Sequence, residues 1–509
     1  MSKTSRSVLI LCSLFLTVTS CSSDPEQSVS NTQPTVSNTQ PPEVSYPENP
    51  DYEGVPDTLT VFSINDLHGK VDGANGYHSI LDLDACITSD PRYDPQTSII
   101  VSAGDSWQGS YASGYDYGET TTKLMGLLGV SVMELGNHEF DWGISRIKQN
   151  MDISNFPFIC SNLVDADGNK VDWIDSYATV EVGDYTCGFV GVMGPTLESD
   201  IKTGMLEGNN FSDDISLVEQ AYKDCIASGA DSVFLIAHED AFSGYLSRLT
   251  STLDFSGVFC GHTHQFESST LGSSPAVQGG SDNRGYSYMV LNTASGDVSD
   301  YGYVELDRAI DTAKPSSNQG LKDYLDWYLN SLPRQVFGKI EGYWTKETSA
   351  NFVLSAMLYA YRVIYPDMPT DHLISIHNTG GIRGYYPEYD EPTDFDMDTI
   401  QIVSPFDNKL VLLQNRAPDY GQIRRSNGRN YVSDYESYKW DYVDIVTIDY
   451  LVTDEYSKMF SPEGAIYIQD PNRGGDYVIY NVVADYASYL DSQNKVIRAQ
   501  DYREAVYPD

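Results

Sequence analysis

Residues 130–141 read "VSVMELGNHEFD". The first half is a strand-length apolar run; the second sets Asn137, His138, Glu139 and Asp141 within five positions. A buried strand that stops in a burst of polar side chains delivers them to the rim of a sheet. The pattern repeats on both sides. "LTVFSI" (59–64) runs into "NDLHG" with Asp66 and His68, and "TSIIVSA" (97–103) into "GDSWQGS" with Asp105. "DSVFLIA" (231–237) runs into "HED" with His238, and "FSGVFC" (255–260) into "GHTH" with His262 and His264. Five of the eight histidines thus lie just past a predicted strand.

Near-continuous apolar runs suit sheets covered on both faces. "FPFIC" (156–160) and "CGFVGVM" (187–193) add two more, and helix-length segments such as "ETTTKLMGLLG" and "DDISLVEQAYKDCIASG" separate them. An α/β layered domain follows. In such sheets ligands bind at the carboxyl ends of the strands, so the polar groups are expected to converge on one rim. Asp oxygen and His nitrogen suit Zn, Mn or Fe, and two such ions roughly 3.5–4 Å apart need about seven protein ligands. Asp66, His68, Asp105, Asn137, His238, His262 and His264 supply that set. Alternation in extended backbone lets Asp66 with His68, and His262 with His264, point together at metal.

The ordered series "NDLHG … GDSWQG … GNHEFD … H … GHTH" resembles the calcineurin-like metallophosphoesterases, and within them the bacterial and animal 5′-nucleotidase family, over nearly all of the chain after residue 56. The resemblance implies an N-terminal αββα sandwich holding two divalent metals and an α/β C-terminal substrate domain, joined by a helix. It implies one metal held by Asp66, His68 and His264, another by Asn137, His238 and His262, and Asp105 bridging. His138 and Asp141 match the family's catalytic pair: an imidazolium beside the phosphate, oriented by a carboxylate. Phe140 is expected to pack and Glu139 to face away.

A Pro/Ser/Asn break and an apolar stripe through Leu321, Tyr324, Leu325, Tyr328 and Leu329 mark a boundary. The divisions read are 57–312 for the metal domain, 313–338 for a linker helix and 339–509 for the substrate domain. In the last, "SANFVLSAMLYAYRVI" is expected to be helical and "DYVIYNVVADYASYL" a strand followed by a helix. "HNTGGIRGYY" (377–386) and "VSPFDNKLV" (403–411) resemble two signatures of the family's substrate domain. Asn378 can bond a base edge, Gly381 lets backbone come close, and Arg383 offers a planar fork for phosphate. Phe406 matches the position that stacks on the nucleobase, with Asn408 beside it; Tyr450 and Asp454 are the counterparts of the second stacking aromatic and its acidic neighbour. Lys346 stands near a family arginine that precedes the first C-terminal helix.

The chain has 509 residues, formal charge −42 and pI near 4.2. Charge of that sign repels DNA, RNA and anionic lipid, which excludes a nucleic-acid polymer as partner. It also requires local positive charge wherever an anionic substrate binds. "MSKTSR" and "VLILCSLFLTV" form a secretory signal over residues 1–20, too short for a membrane span. "VTSC" resembles a bacterial lipoprotein cleavage site, so Cys21 is expected to carry lipid and, with Ser22 following, to go to the outer membrane; the alternative is an ordinary signal cut nearby. Which face of that membrane, and monomer or dimer, stay open. Residues 21–56, with a repeated "VSNTQP", read as a disordered tether. Cys86, Cys160, Cys187, Cys225 and Cys260 lack metal-type spacing and are expected to be buried thiols.

The function expected is an exported metal-dependent hydrolase of nucleoside 5′-phosphates, with UDP-sugars as further candidate substrates, serving nucleotide catabolism. A 2′,3′-cyclic-nucleotide phosphodiesterase with 3′-nucleotidase activity, and a catalytically inactive nucleotide-binding surface lipoprotein, are the alternatives.

Overall fold

A computed structural model describes residues 40–47, 52–417, 430–434, 436–454 and 459–504. The signal, Cys21 and the tether up to residue 39 lie outside the described residues.

Two six-stranded sheets make up the part before residue 310. The first runs, edge to edge, Asp297–Glu305, Gly285–Asn292, Thr58–Ile64, Ser98–Ser102, Val130–Glu134, Phe158–Ile159. The second runs Phe266–Leu271, Ser274–Gly279, Val258–Cys260, Ser232–His238, Tyr185–Met193, Tyr177–Val182. In each, four neighbouring strands are parallel; antiparallel strands close one edge of the first sheet and both edges of the second.

The apolar runs are continuous because each strand is covered twice. Leu59 and Val61 face the other sheet, in a core shared with Val101, Val132, Phe189, Phe234 and Ile236. Phe62 and Ile64, pointing the other way, meet helices Ile80–Ser89 and Glu119–Leu128. On the far side Val190, Leu235 and Val258 meet helices Ile215–Ala227 and Gly244–Thr252. Helix, sheet, sheet, helix is the layering expected. The five cysteines among the described residues are buried free thiols.

Helix Gln319–Ser331 is capped by Asn318 and buries Leu321, Tyr324, Leu325 and Tyr328 against the first sheet's helical layer, where the Tyr328 hydroxyl donates to Ala112 O at 2.6 Å. Beyond it, a three-stranded sheet (Tyr389–Asp396, Val336–Gly342, Ile497–Arg498) and a five-stranded one (Asn430–Val432, Leu373–Asn378, Val443–Ile448, Leu410–Arg416, Ala465–Tyr467) share one core. At its centre are helices Lys346–Ile364, closed by a Thr345–Thr348 capping box, and Ile479–Ser492. The strand read before the second helix does not form. Asp476 and Val478 make only isolated bridges to Gln469 and Lys409.

The folded body begins earlier than residue 57. Val44 and Tyr46 pack on the first sheet's helical layer and Tyr52 on the inter-sheet core. A side chain on Gly126 would come within 2.8 Å of the Tyr46 ring, so the bare glycine seats it. Pro47 lines a cavity with Ser98 and Ser131. Polar composition described this segment on average, but three apolar side chains suffice to hold its end.

Candidate dinuclear metal centre

The loops after strands Thr58–Ile64, Ser98–Ser102, Val130–Glu134, Ser232–His238 and Val258–Cys260 meet at one rim. Their glycines permit it. A Cβ on Gly104 would lie 2.5 Å from Gly136 N, one on Gly136 2.4 Å from Asp105 N, and one on Gly261 2.8 Å from His238 Nδ1. Asp66, His68, Asp105, His262 and His264 all have left-handed backbone, with φ of 49, 49, 54, 76 and 61°. Each such residue is strained by roughly 1–2 kcal/mol. Hydrogen bonds between loops hold it in place: Asp66 N–H to Gly104 O (2.9 Å) and His68 N–H to Asp105 O (3.0 Å). The backbone is therefore not extended here, as alternation had assumed. Asp66 and His68 still turn the same way, whereas His262 and His264 part company.

Two groups of donors result. Asp66, His68 and His264 place their ligand atoms within 4.8 Å of one another, and so do Asp105, His238 and His262. Asn137 joins the second group, its Oδ1 at 3.1 Å from both His238 Nε2 and His262 Nδ1. The chemistry of the donors fits a cation. His68 Nδ1 lies 2.8 Å from Gln108 O and His238 Nδ1 2.7 Å from Ala103 O, so those nitrogens carry the hydrogens and Nε2 presents a lone pair. The lone pair of His68 then faces His264 Nε2 at 3.1 Å, and that of His238 faces Asp105 Oδ2 at 3.3 Å. The His238–Asp105 pair sets acceptor against acceptor and needs positive charge between them. Burial works against charging His238, yet Asp105 and Asp66 outweigh it and raise its pKa to about 10. A proton there answers the same demand as a metal. These two groups fit two divalent metal ions.

His138 sits on a short turn, Asn137–Phe140, with Nδ1 2.8 Å from Asp141 Oδ2. Burial opposes its protonation, but Asp141 and Asp105 overcome that and its pKa is raised. Asp105 Oδ1 accepts the His138 backbone N–H at 2.8 Å.

Glu139 does not face away. It is fully buried and accepts three backbone N–H groups, from Asp105 (2.8 Å), Ser106 (2.7 Å) and Gly136 (2.7 Å). The readable signal was its place three residues after Gly136, where an acidic side chain reaches back over the start of a turn. One carboxylate thus clamps the loop carrying Asp105 to the loop carrying Asn137 and His138. In Glu139→Gln the amide would point a donor at these donors. We expect metal affinity to fall about 10–100-fold, the usual effect of losing an outer partner of a ligand. Unchanged affinity in a metal titration would leave Glu139 no role in the site.

A cavity of about 580 Å³ opens over the second group of donors. Asn137, His138 and Asp141 line one side; Asn378, Gly381, Arg383, Phe406, Asn408 and Tyr450 line the other. A Cβ on Gly381 would lie 2.5 Å from Asn378 Oδ1, an atom that is buried with no hydrogen-bond partner among the described residues. Phe406 stacks on His138 at 5.7 Å, with Arg383 5.8 Å from its ring. Two residues lie elsewhere. Lys346 lines a smaller neighbouring cavity of about 240 Å³ together with His68 and Arg383. Asp454 is buried and accepts from Thr203 N–H (2.8 Å) and Oγ1 (3.0 Å), tying the two sheet systems together instead of lining the cavity. Lys202 does likewise with Asp449 at 2.8 Å. Sequence reading missed Tyr117, Trp142 and Arg146 on the cavity wall, although Trp142 directly follows Asp141.

Residues 59–266 match the family model of the calcineurin-like phosphoesterases. An endonuclease, YhcR of Bacillus subtilis, is 25% identical over 43% of this chain, which spans only 21% of that protein. A snake venom 5′-nucleotidase from Gloydius brevicauda is 24% identical over 70% of this chain and 68% of its own. The crystal structure of a 5′-nucleotidase precursor from Thermus thermophilus superimposes with TM-score 0.63 at 17% identity, over 85% of this chain and 96% of that one. Layering and donor groups coincide within residues 59–266, the part of the chain that matches the calcineurin-like phosphoesterases.

Proposed function

We propose that this protein is an exported, metal-dependent phosphohydrolase that releases phosphate from nucleoside 5′-phosphates. One observation carries the reading: a nucleotide-sized cavity joins the metal donors to Asn378, Arg383 and Phe406. The venom 5′-nucleotidase relative supports it. In the proposed division, residues 57–312 form the metal domain, 313–338 the connecting helix and 339–509 the substrate domain, with lipid on Cys21 anchoring the whole.

Asp66, His68 and His264 would hold one divalent ion and Asn137, His238 and His262 the other, with Asp105 between them. The pair would supply an activated water and offset the phosphate's charge. The chain's own residues do the rest. Arg383 offers its fork to phosphate oxygens. Phe406 slides from His138 onto the base, and Asn378 bonds the base edge. His138, held through Nδ1 by Asp141, keeps a proton on Nε2; it stabilises the charge growing on the phosphoryl group and passes that proton to the 5′ oxygen as its bond to phosphorus breaks.

The test is phosphate release by the purified chain after chelation, with and without added Mn²⁺ or Zn²⁺. The chelated protein is expected to be inert, and added metal to restore release from 5′-AMP well above that from 3′-AMP or 2′,3′-cyclic AMP. Silence on every phosphorylated nucleoside with every ion supplied would sink the reading.

A further inference from the structure

The cavity wall opposite Phe406 and Tyr450 has no assigned role. Helix Ile144–Ile153 places Arg146 on it, and the Arg146 guanidinium lies over the face of Tyr117 at 3.9 Å. The Tyr117 ring meets Trp142 edge-on at 5.6 Å, so three side chains brace one another. Tyr117 itself has φ of 57°, left-handed and strained for an aromatic residue, and its carbonyl is pinned by Asn150 Nδ2 at 2.9 Å. Such strain persists where surroundings over-determine it, and it clusters at ligand clamps.

Four lysine and arginine side chains line this cavity, and three are accounted for. Lys202 pairs with Asp449 and Lys409 with Asp476, each at 2.8 Å. Arg383 stands at the phosphate end, beside His264. Arg146 has no carboxylate partner among the described residues; its Nη1 donates to Gln149 Oε1 at 2.7 Å, leaving the Nε and Nη2 edge unpaired. In a chain with 73 acidic residues an arginine on a cavity wall with no carboxylate partner among the described residues is conspicuous.

Resting on the nucleotidase reading, we propose that Arg146 reads the base edge and selects keto bases. A guanidinium only donates. It pairs with the acceptors of guanine and hypoxanthine (O6 with N7) or of uracil (O4), in the fork geometry by which arginine recognises guanine. Against adenine or cytosine it faces an amino group, donor against donor, and the pairing is lost.

The experiment compares kcat/KM on GMP, IMP, AMP, UMP and CMP for the metal-loaded protein and for Arg146→Ala and Arg146→Lys, with metal content and melting temperature as checks on folding. The unaltered protein is expected to favour GMP and IMP over AMP, and UMP over CMP, by about tenfold. Both substitutions should bring those ratios close to one, Lys included, since it keeps charge but lacks the fork. Ratios near one in the unaltered protein overturn the proposal, as does an equal fall on all five substrates, which would make Arg146 a general attractor of phosphate. Hydrolysis of none of them overturns the nucleotidase reading itself.

Discussion

Replacing His138 with alanine lowers kcat by about 10²–10⁴-fold, the range spanned by a single general acid, while metal content stays near that of the unaltered protein. The separation follows from which atoms do what. The His138 ring is fixed by Asp141 at 2.8 Å through Nδ1, and neither donor group includes it. Its backbone N–H, which supports Asp105, survives the substitution. Turnover should therefore collapse with the ligand cage intact, measured as initial rates beside metal analysis of the same sample. Loss of metal in step with activity would reassign His138 to holding the cage together. Undiminished turnover would remove it from the chemistry.

Asp105→Asn has the opposite signature: metal content and activity fall together. Both Asp105 oxygens are engaged, Oδ1 by the His138 N–H and Oδ2 toward His238 at 3.3 Å. An amide of the same shape must aim its NH₂ at a donor or at a ligand nitrogen. It also removes the charge that helps raise the pKa values of both His138 and His238. With several kcal/mol of charge stabilisation at stake in a two-metal site, kcat/KM should drop by at least about 10³-fold. A variant that keeps its full metal complement and more than a tenth of its activity would refute a central place for Asp105.

Strands and the positions of the candidate donors were legible because the same physics produced both signals. A strand covered on two faces must be apolar at every position, so Leu59, Val61, Phe62 and Ile64 announce it, and the break in that pattern marks the rim where Asp66 and His68 emerge. The outer strands were harder. "FESSTL" and "DVSDYGYVE" are half-exposed edge segments rich in Ser, Thr and Tyr, with no apolar run to betray them. Left-handed backbone at five of the ligands was invisible too, since it comes from loops bonding one another and not from local propensity. Glu139 was misread for a related reason: its partners Asp105 and Ser106 lie more than thirty residues away. The C-terminal assignments followed motif position alone. That placed Asn378, Arg383, Phe406 and Tyr450 on the cavity but could not foresee that Asp454 would be taken by Thr203, or that Lys346 would face the next cavity.

Where the chain enters the folded body bears on how the enzyme meets its surroundings. Tyr46 packs by Gly126, four residues before strand Val130–Glu134, and Pro47 lines one cavity with Ser98 and Val130, which open two strands whose far ends lead to the candidate metal donors. The strands themselves, at roughly 3.3 Å per residue, separate these two poles. The rim that gathers the donors is thus left clear where the chain joins the folded body.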